Sequence, residues 1–210
     1  METARSYGDG CGIALGLDLV GERWALLVVR ELLLGPLRFT DLRAGLPSAS
    51  PNVLSQRLRE LERAGLVVRR RLPPPAAAWV YALSPSGMAL GPVLTALGTW
   101  ALRSGASSDG PVSAVSAMLA VRTYWRDGPP VGEVEVRLGE RVYAVVDGRV
   151  TAGPGNAPVA VVTTDPATLV AALGREDGVT APGLRAEGDL GAVVALFTRV
   201  RLPASDPAPT

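Results

Sequence analysis

Asn52, Gln56, Arg59 and Arg63 follow one another at i, i+4, i+7 and i+11 within SPNVLSQRLRELERAGL. A helix there carries all four on one side, with Ser55 at the flank. Asn and Gln can each make two hydrogen bonds to adenine, and Arg can make two to guanine, so the row holds side chains that read base edges in a duplex. Just beyond stand Arg69, Arg70 and Arg71, whose guanidinium groups suit phosphate, a contact that supplies affinity without sequence information. From Arg38 to Arg71 eight arginines face only Asp41, Glu60 and Glu62, and this excess of positive charge invites a polyanion. A solvated helix face is the competing account, and the absence of an outward acid from the row counts against it.

What is missing narrows the chemistry further. The chain has no His and all 21 of its basic side chains are Arg, so a Ser/His relay, a lysine Schiff base and nearly every zinc site lack an essential part. No enzyme, metal site or cofactor is expected. The net charge of +1 conceals an asymmetry: residues 1–102 hold eleven Arg against eight acids, and residues 103–210 ten Arg against twelve. Cys11 is the single cysteine and cannot form an internal disulfide, which fits a reducing cytoplasm. The opening METARSYGDG lacks the basic and apolar regions of a signal peptide, so a cytoplasmic location is expected. Residues 84–102 carry no charge, but their glycines, prolines and hydroxyls make a poor lipid-facing helix. The reading is no membrane and a helix covered on both sides between two subunits.

The elements that must hold the row in place are legible around it. CGIALGLDLV and RWALLVVRELLLG show helical apolar spacing, the second stopping at Gly35-Pro36. In LRFTDLRAGL, Phe39 is expected to close a short strand and Thr40 to cap a helix through Leu46. Ser50 caps the next helix and Pro51 takes its first position, with Leu54, Leu58 and Leu61 within about 60° of one another toward the core. That helix runs to Ala64 and ends at Gly65. LVVRRRL and WVYALS read as strands joined by PPPAAA, and Ser84-Pro85 opens the uncharged helix. A short capped helix, a tight turn and a second amphipathic helix make a helix-turn-helix, and the basic hairpin makes a wing. Strand alternation puts Arg69 and Arg71 on one side and Arg70 on the other. The DNA-binding set is therefore Asn52, Ser55, Gln56, Arg59 and Arg63 on bases, with Arg38, Arg69 and Arg71 on phosphate and the hydroxyls of Thr40 and Ser50 at the helix starts.

RSGASSDGPV, residues 103–112, breaks the apolar periodicity. The division is a first domain over 1–102, a linker over 103–112, a second domain over 113–202 and a disordered tail over 203–210, with roughly the first eight residues also disordered. In the second domain SAVSAMLAVRTYW reads as a helix, and EVEVRL, RVYAVV and RVTAG as an antiparallel meander turning at Gly139-Glu140 and Asp147-Gly148. PVAVVTT, a helix capped by Asp165-Pro166, a short strand before Gly188-Asp189 and a last amphipathic helix complete an α+β fold with an antiparallel sheet and flanking helices. Asp165, Glu187 and Asp189 are a cap and turn residues rather than an acid/base pair, and TAGPGNAP is a strand-to-strand loop.

GERW, LLLGPLRFTDL, SPNVLSQRLRELERAGL and YALSPSG together resemble the HxlR family of winged-helix transcriptional regulators, over about ninety residues. The resemblance implies a homodimer on a two-fold related double-stranded operator, with an interface built from residues 10–20 and 84–102. Cys11 matches a position where many relatives carry a cysteine, which in some senses oxidants or electrophiles; Gly12 stands where Pro commonly follows. No His or Lys is present to lower the thiol pKa, and a buried small hydrophobe is the competing role. The second half is similar to sterol-carrier-protein-like domains, which implies an apolar tunnel between sheet and helices. Met118, Trp125, Tyr143, Val145, Leu169, Leu173, Leu196 and Phe197 would line it around an apolar small-molecule or lipid ligand, and a filled core fits the same residues equally well. From another class, the alternative is a lipid-binding or carrier protein whose winged helix mediates protein contacts.

Overall fold

A computed structural model of the chain describes residues 6–204, which divide into two units, the first ending at Leu94 and the second beginning at Thr95. Of the tails expected to be disordered, residues 1–5 and 205–210 lie outside the described residues. Ser6 and Tyr7 are tied down, because the Ser6 hydroxyl and the Tyr7 N–H donate to the two oxygens of Asp18, at 2.8 and 2.9 Å.

The first unit opens with α1 (Gly12–Val20) and α2 (Ala25–Leu32). The turn between them ends at Trp24, whose φ of 76° is left-handed backbone that a bulky side chain seldom adopts. Next come α3 (Phe39–Gly45) and α4 (Pro51–Arg63), then the antiparallel hairpin of β1 (Val67–Arg71) and β2 (Trp79–Leu83). Leu54, Leu58 and Leu61 of α4 are buried with Val28, Val29 and Leu32 of α2 and Leu42 of α3. One apolar core therefore fixes which side of α4 is left for solvent.

Three local expectations are corrected. Arg38, not Thr40, is the N-cap of α3: its N–H donates to the Asp41 carboxylate at 3.1 Å, and Phe39 already lies within the helix. The strand-like residue is Leu37, which exchanges two backbone hydrogen bonds with Tyr81 at 3.0 and 2.8 Å. The uncharged segment is two helices, α5 (Pro85–Met88) and α6 (Gly91–Arg103). Pro92 has no N–H to continue the ladder, and a Cβ at Gly87 would strike the Leu66 carbonyl, so the chain must turn where it packs. The two units divide within α6, after Leu94, and the composition break lies further on, at residues 103–112. No helix among the described residues is long and apolar enough to cross a membrane.

The second unit contains α7 (Ala114–Tyr124), β3 (Glu133–Leu138), β4 (Arg141–Val146), β5 (Arg149–Ala152), β6 (Ala160–Thr164), α8 (Pro166–Ala172), β7 (Arg185–Gly188) and α9 (Leu190–Thr198). Its sheet order is β5-β4-β3-β6-β7, and β3 pairs with β6 in parallel. The sheet is thus mixed, which corrects the expected antiparallel one. TAGPGNAP is the crossover. Because β5 stops at Ala152, opposite Tyr143, the chain has to cross only three strand spacings, about 14 Å, which seven extended residues at roughly 3.3 Å each can span. Two carboxylates hold it on the way: the Gly155 N–H donates to Glu135 Oε2 at 3.2 Å and the Ala157 N–H to Glu133 Oε1 at 3.0 Å. Val134, Val136, Tyr143, Val145 and Val162 occupy the other sheet face and are buried. At the Asp147-Gly148 turn both residues have positive φ, as a tight hairpin requires, and Trp125 packs so closely on Gly148 that no side chain fits there.

Candidate nucleic-acid interface

α4 is built to present a side. Ser50 Oγ accepts from the Val53 N–H at 3.3 Å and Pro51 occupies the first turn, so the helix begins where the sequence places it. With the leucines turned inward, Asn52, Arg59 and Arg63 are exposed and Ser55 and Gln56 are half-buried. The five expected base-reading residues are therefore brought onto one side of one helix.

The wing carries the expected cations and one aromatic residue that the sequence reading passed over. Arg69 lies opposite Tyr81 and Arg71 opposite Trp79, so these four share a face and Arg70 is on the other. The Arg69 guanidinium stacks over the Trp79 ring, 4.8 Å from its centroid, and Trp79 is 54% exposed. Arg71 Nε donates to the Ala77 carbonyl at 3.4 Å. Position opposite Arg71 in a period-two strand was the signal that could have found Trp79. Arg38 and Thr40 are also exposed, at the start of α3. The Arg38 N–H is already taken by Asp41, so Arg38 can meet phosphate as a cation and not through that amide. Ser50 likewise spends its oxygen on the cap.

Two further residues of α4 belong to the site. Arg57 is buried rather than displayed, and its Nη1 meets Glu22 Oε2 at 3.4 Å and Glu60 Oε2. Glu60 in turn accepts from Gln56 Nε2 at 3.0 Å. An acid therefore flanks the row after all, and Gln56–Glu60 is the i, i+4 spacing at which side chains on a helix meet.

Cys11 precedes α1 as its N-cap residue and is exposed in the single chain. The backbone N–H groups of Ile13 and Ala14 at the start of α1 lower its thiol pKa from the ordinary cysteine value.

In the second unit Met118, Tyr143, Val145, Leu169, Leu173, Leu196 and Phe197 are all buried, contributed by α7, β4, the end of α8 and α9. Trp125 is half-buried, over Gly148 and within 5.8 Å of the Arg199 guanidinium. The eight expected lining residues thus include seven interior side chains and one near the surface. Asp165 and Asp189 cap α8 and α9, each accepting from two backbone N–H groups, and Glu187 lies on β7.

The HxlR-like helix-turn-helix family model matches residues 19–108. Over 85 residues the chain is 41% identical to the uncharacterized HTH-type transcriptional regulator YvaP of Bacillus subtilis, covering 40% of this chain and 79% of that protein. Over 84 residues it is 36% identical to the HTH-type transcriptional regulator YodB of B. subtilis, covering 40% and 75%. Among solved structures, the reduced form of YodB is similar at 34% identity over 43% of this chain and 90% of that one, with a TM-score of 0.40. The family match stops before α7 begins.

Proposed function

The chain belongs to the HxlR-like helix-turn-helix family of transcriptional regulators, and on that premise we propose that it is a cytoplasmic homodimer which reads a two-fold related operator with α4 and grips phosphate with its wing. The observation that carries this reading is the division of α4 into a leucine side sunk in the core and a side displaying Asn52, Gln56, Arg59 and Arg63. Asn52, Ser55, Gln56, Arg59 and Arg63 contact base edges in the major groove. Arg38, Arg69 and Arg71 neutralise backbone charge. The activity is binding; no reaction is assigned to it.

A second copy covers the apolar surface that one chain leaves open. Ile13, Leu15 and Leu19 on α1, and Val93, Leu97 and Trp100 on α6, are exposed, although a lone soluble chain has little reason to wet so many large apolar groups on two short helices. Isologous pairing also places two recognition helices for half-sites about one duplex turn apart.

For the second unit the finer reading is a sterol-carrier-like fold that holds an apolar small molecule between sheet and helices. It is supported by the layer of buried apolar side chains between the mixed sheet and α7 and α9. Such a ligand regulates only by binding two dimer geometries with different affinity.

Substituting Gln56→Ala and Arg59→Ala tests the DNA reading. Loss of preference for a selected duplex over a random one supports base contact. Unchanged discrimination points to the carrier alternative, in which the winged helix meets protein. Native mass spectrometry of freshly purified full-length chain tests the ligand. A retained apolar molecule lost on denaturation supports it, and a bare mass before and after lipid addition removes it.

A further inference from the structure

Gln56 is not free to choose how it meets a base. Its amide lies against Glu60 Oε1 at 3.0 Å, and because a carboxylate can only accept, the atom on that side must be the nitrogen. The other Glu60 oxygen is engaged by Arg57 Nη1, which also reaches Glu22 Oε2 at 3.4 Å. The Arg57 side chain is only 9% exposed, so the far end of this chain of contacts is anchored in the body of the unit, against the turn before α2. Glu60 is thereby pinned from behind and holds Gln56 in front.

A primary amide that has donated one hydrogen keeps one N–H and its carbonyl oxygen. Those are the two groups that pair with N7 and the N6 amino group of adenine. We propose that Glu60 is a positioning residue that sets specificity: it orients the Gln56 amide before DNA arrives, so that each half-site shows an adenine preference at one position. One of its oxygens faces Gln56 and the other faces Arg57, whose charge offsets its own. The proposal deepens the base-reading assignment above and rests on it.

Full-length wild type, Gln56→Ala, Glu60→Asp and Glu60→Gln are compared on duplexes enriched from a random library by the wild type, each position then substituted in competition anisotropy. Circular dichroism confirms that each variant is folded at the assay temperature. Gln56→Ala is expected to lose about ten-fold or more of the preference at one position. Glu60→Asp keeps a carboxylate for Arg57 but is one methylene too short for Gln56, and should lose preference at that same position only. Glu60→Gln keeps the length but presents an amide that can donate as well as accept, so it no longer dictates which Gln56 atom faces it, and should lose preference at that position too. A residue needed only for its ion pair with Arg57 keeps the preference in Glu60→Asp and loses it in Glu60→Gln, which overturns the proposal, as does retained preference in Glu60→Gln or loss at every position in both variants. If Gln56→Ala loses the preference while Glu60→Asp keeps it, the positioning role alone fails. If Gln56→Ala changes nothing, the base-reading role of Gln56 fails and takes the proposal with it.

Discussion

The guanidinium of Arg69 lies over the indole of Trp79, 4.8 Å from the ring centroid, which holds a cation on the wing where an unsupported arginine would sample many rotamers. An exposed stack of this kind contributes about 0.5–1 kcal/mol. Trp79→Ala should therefore weaken duplex binding about two- to five-fold without altering the order of preferred sequences. Arg69→Ala should do the same and also reduce the slope of log affinity against log salt by about one per subunit. With Arg38, Arg69 and Arg71 on phosphate in both subunits, the wild-type slope should be about −5. Arg57 is left out of that sum because Glu22 and Glu60 already hold it. Fluorescence anisotropy over a salt series measures both quantities. A Trp79→Ala protein with altered sequence preference would place the indole on a base instead.

How much of this could be read from the residues depends on the range of the interaction that decides each feature. Ser50, Pro51 and the leucine spacing define α4 within thirteen residues, so its bounds and its outward row follow from local rules. Arg57 and Glu60 were missed because the row was counted at one angular position. Turning Arg57 by the same 100° per residue puts it at the edge of the leucine arc, about 40° from Leu61, where a buried charge must find a partner. Glu60 stands four residues from Gln56, a spacing that is visible in advance. The parallel pairing of β3 with β6 was not visible, because it depends on β5 ending early and on Glu133 and Glu135 receiving the crossover loop. The break after α5 has a local cause in Pro92, whereas the close packing of Gly87 on Leu66 joins residues distant in the chain.

Leu15→Asp and Leu19→Asp place charge on the exposed apolar side of α1 without touching the core, and should separate the dimer while leaving the unit folded. Sedimentation velocity should show the halved mass, with an unchanged far-ultraviolet spectrum. Affinity for a two-half-site duplex should drop by about two orders of magnitude, since the second half-site is no longer engaged at high effective concentration. A variant that remains dimeric would move the interface off α1.

Cys11 offers a pH-dependent readout. Backbone hydrogen bonds lower its pKa, so its thiolate should form at lower pH than that of an unstructured cysteine peptide. The iodoacetamide alkylation rate should then reach half its maximum at lower pH in the native chain than in urea. Ile13→Pro, which removes one of the donating N–H groups, should shift that midpoint upward, toward the urea value. An alkylation profile identical in native and denatured protein would remove any special reactivity from this thiol.

Asp165 supplies a sign that can be checked against two substitutions. Its Oδ1 accepts from the Ala167 and Thr168 N–H groups, both at 3.0 Å, and Oδ2 from the Thr168 hydroxyl at 2.6 Å. The Thr168 side-chain bond is the largest cause that holds its pKa below the ordinary aspartate value. A carboxyl group whose pKa is lower folded than unfolded adds stability above the unfolded value and loses it as pH falls through the folded one. Acidification from about pH 5 to 2 should therefore lower the melting temperature of the second unit. Asp165→Asn keeps a capping oxygen that does not titrate, and should remove this residue's share of the acid-dependent loss while changing neutral-pH stability little. Asp165→Ala should cost about 1 kcal/mol at neutral pH through the lost cap and should likewise flatten the acid limb. Melting curves of the three proteins at several pH values separate the two effects, because only the cap loss persists at pH 7 and only the titration disappears in both variants.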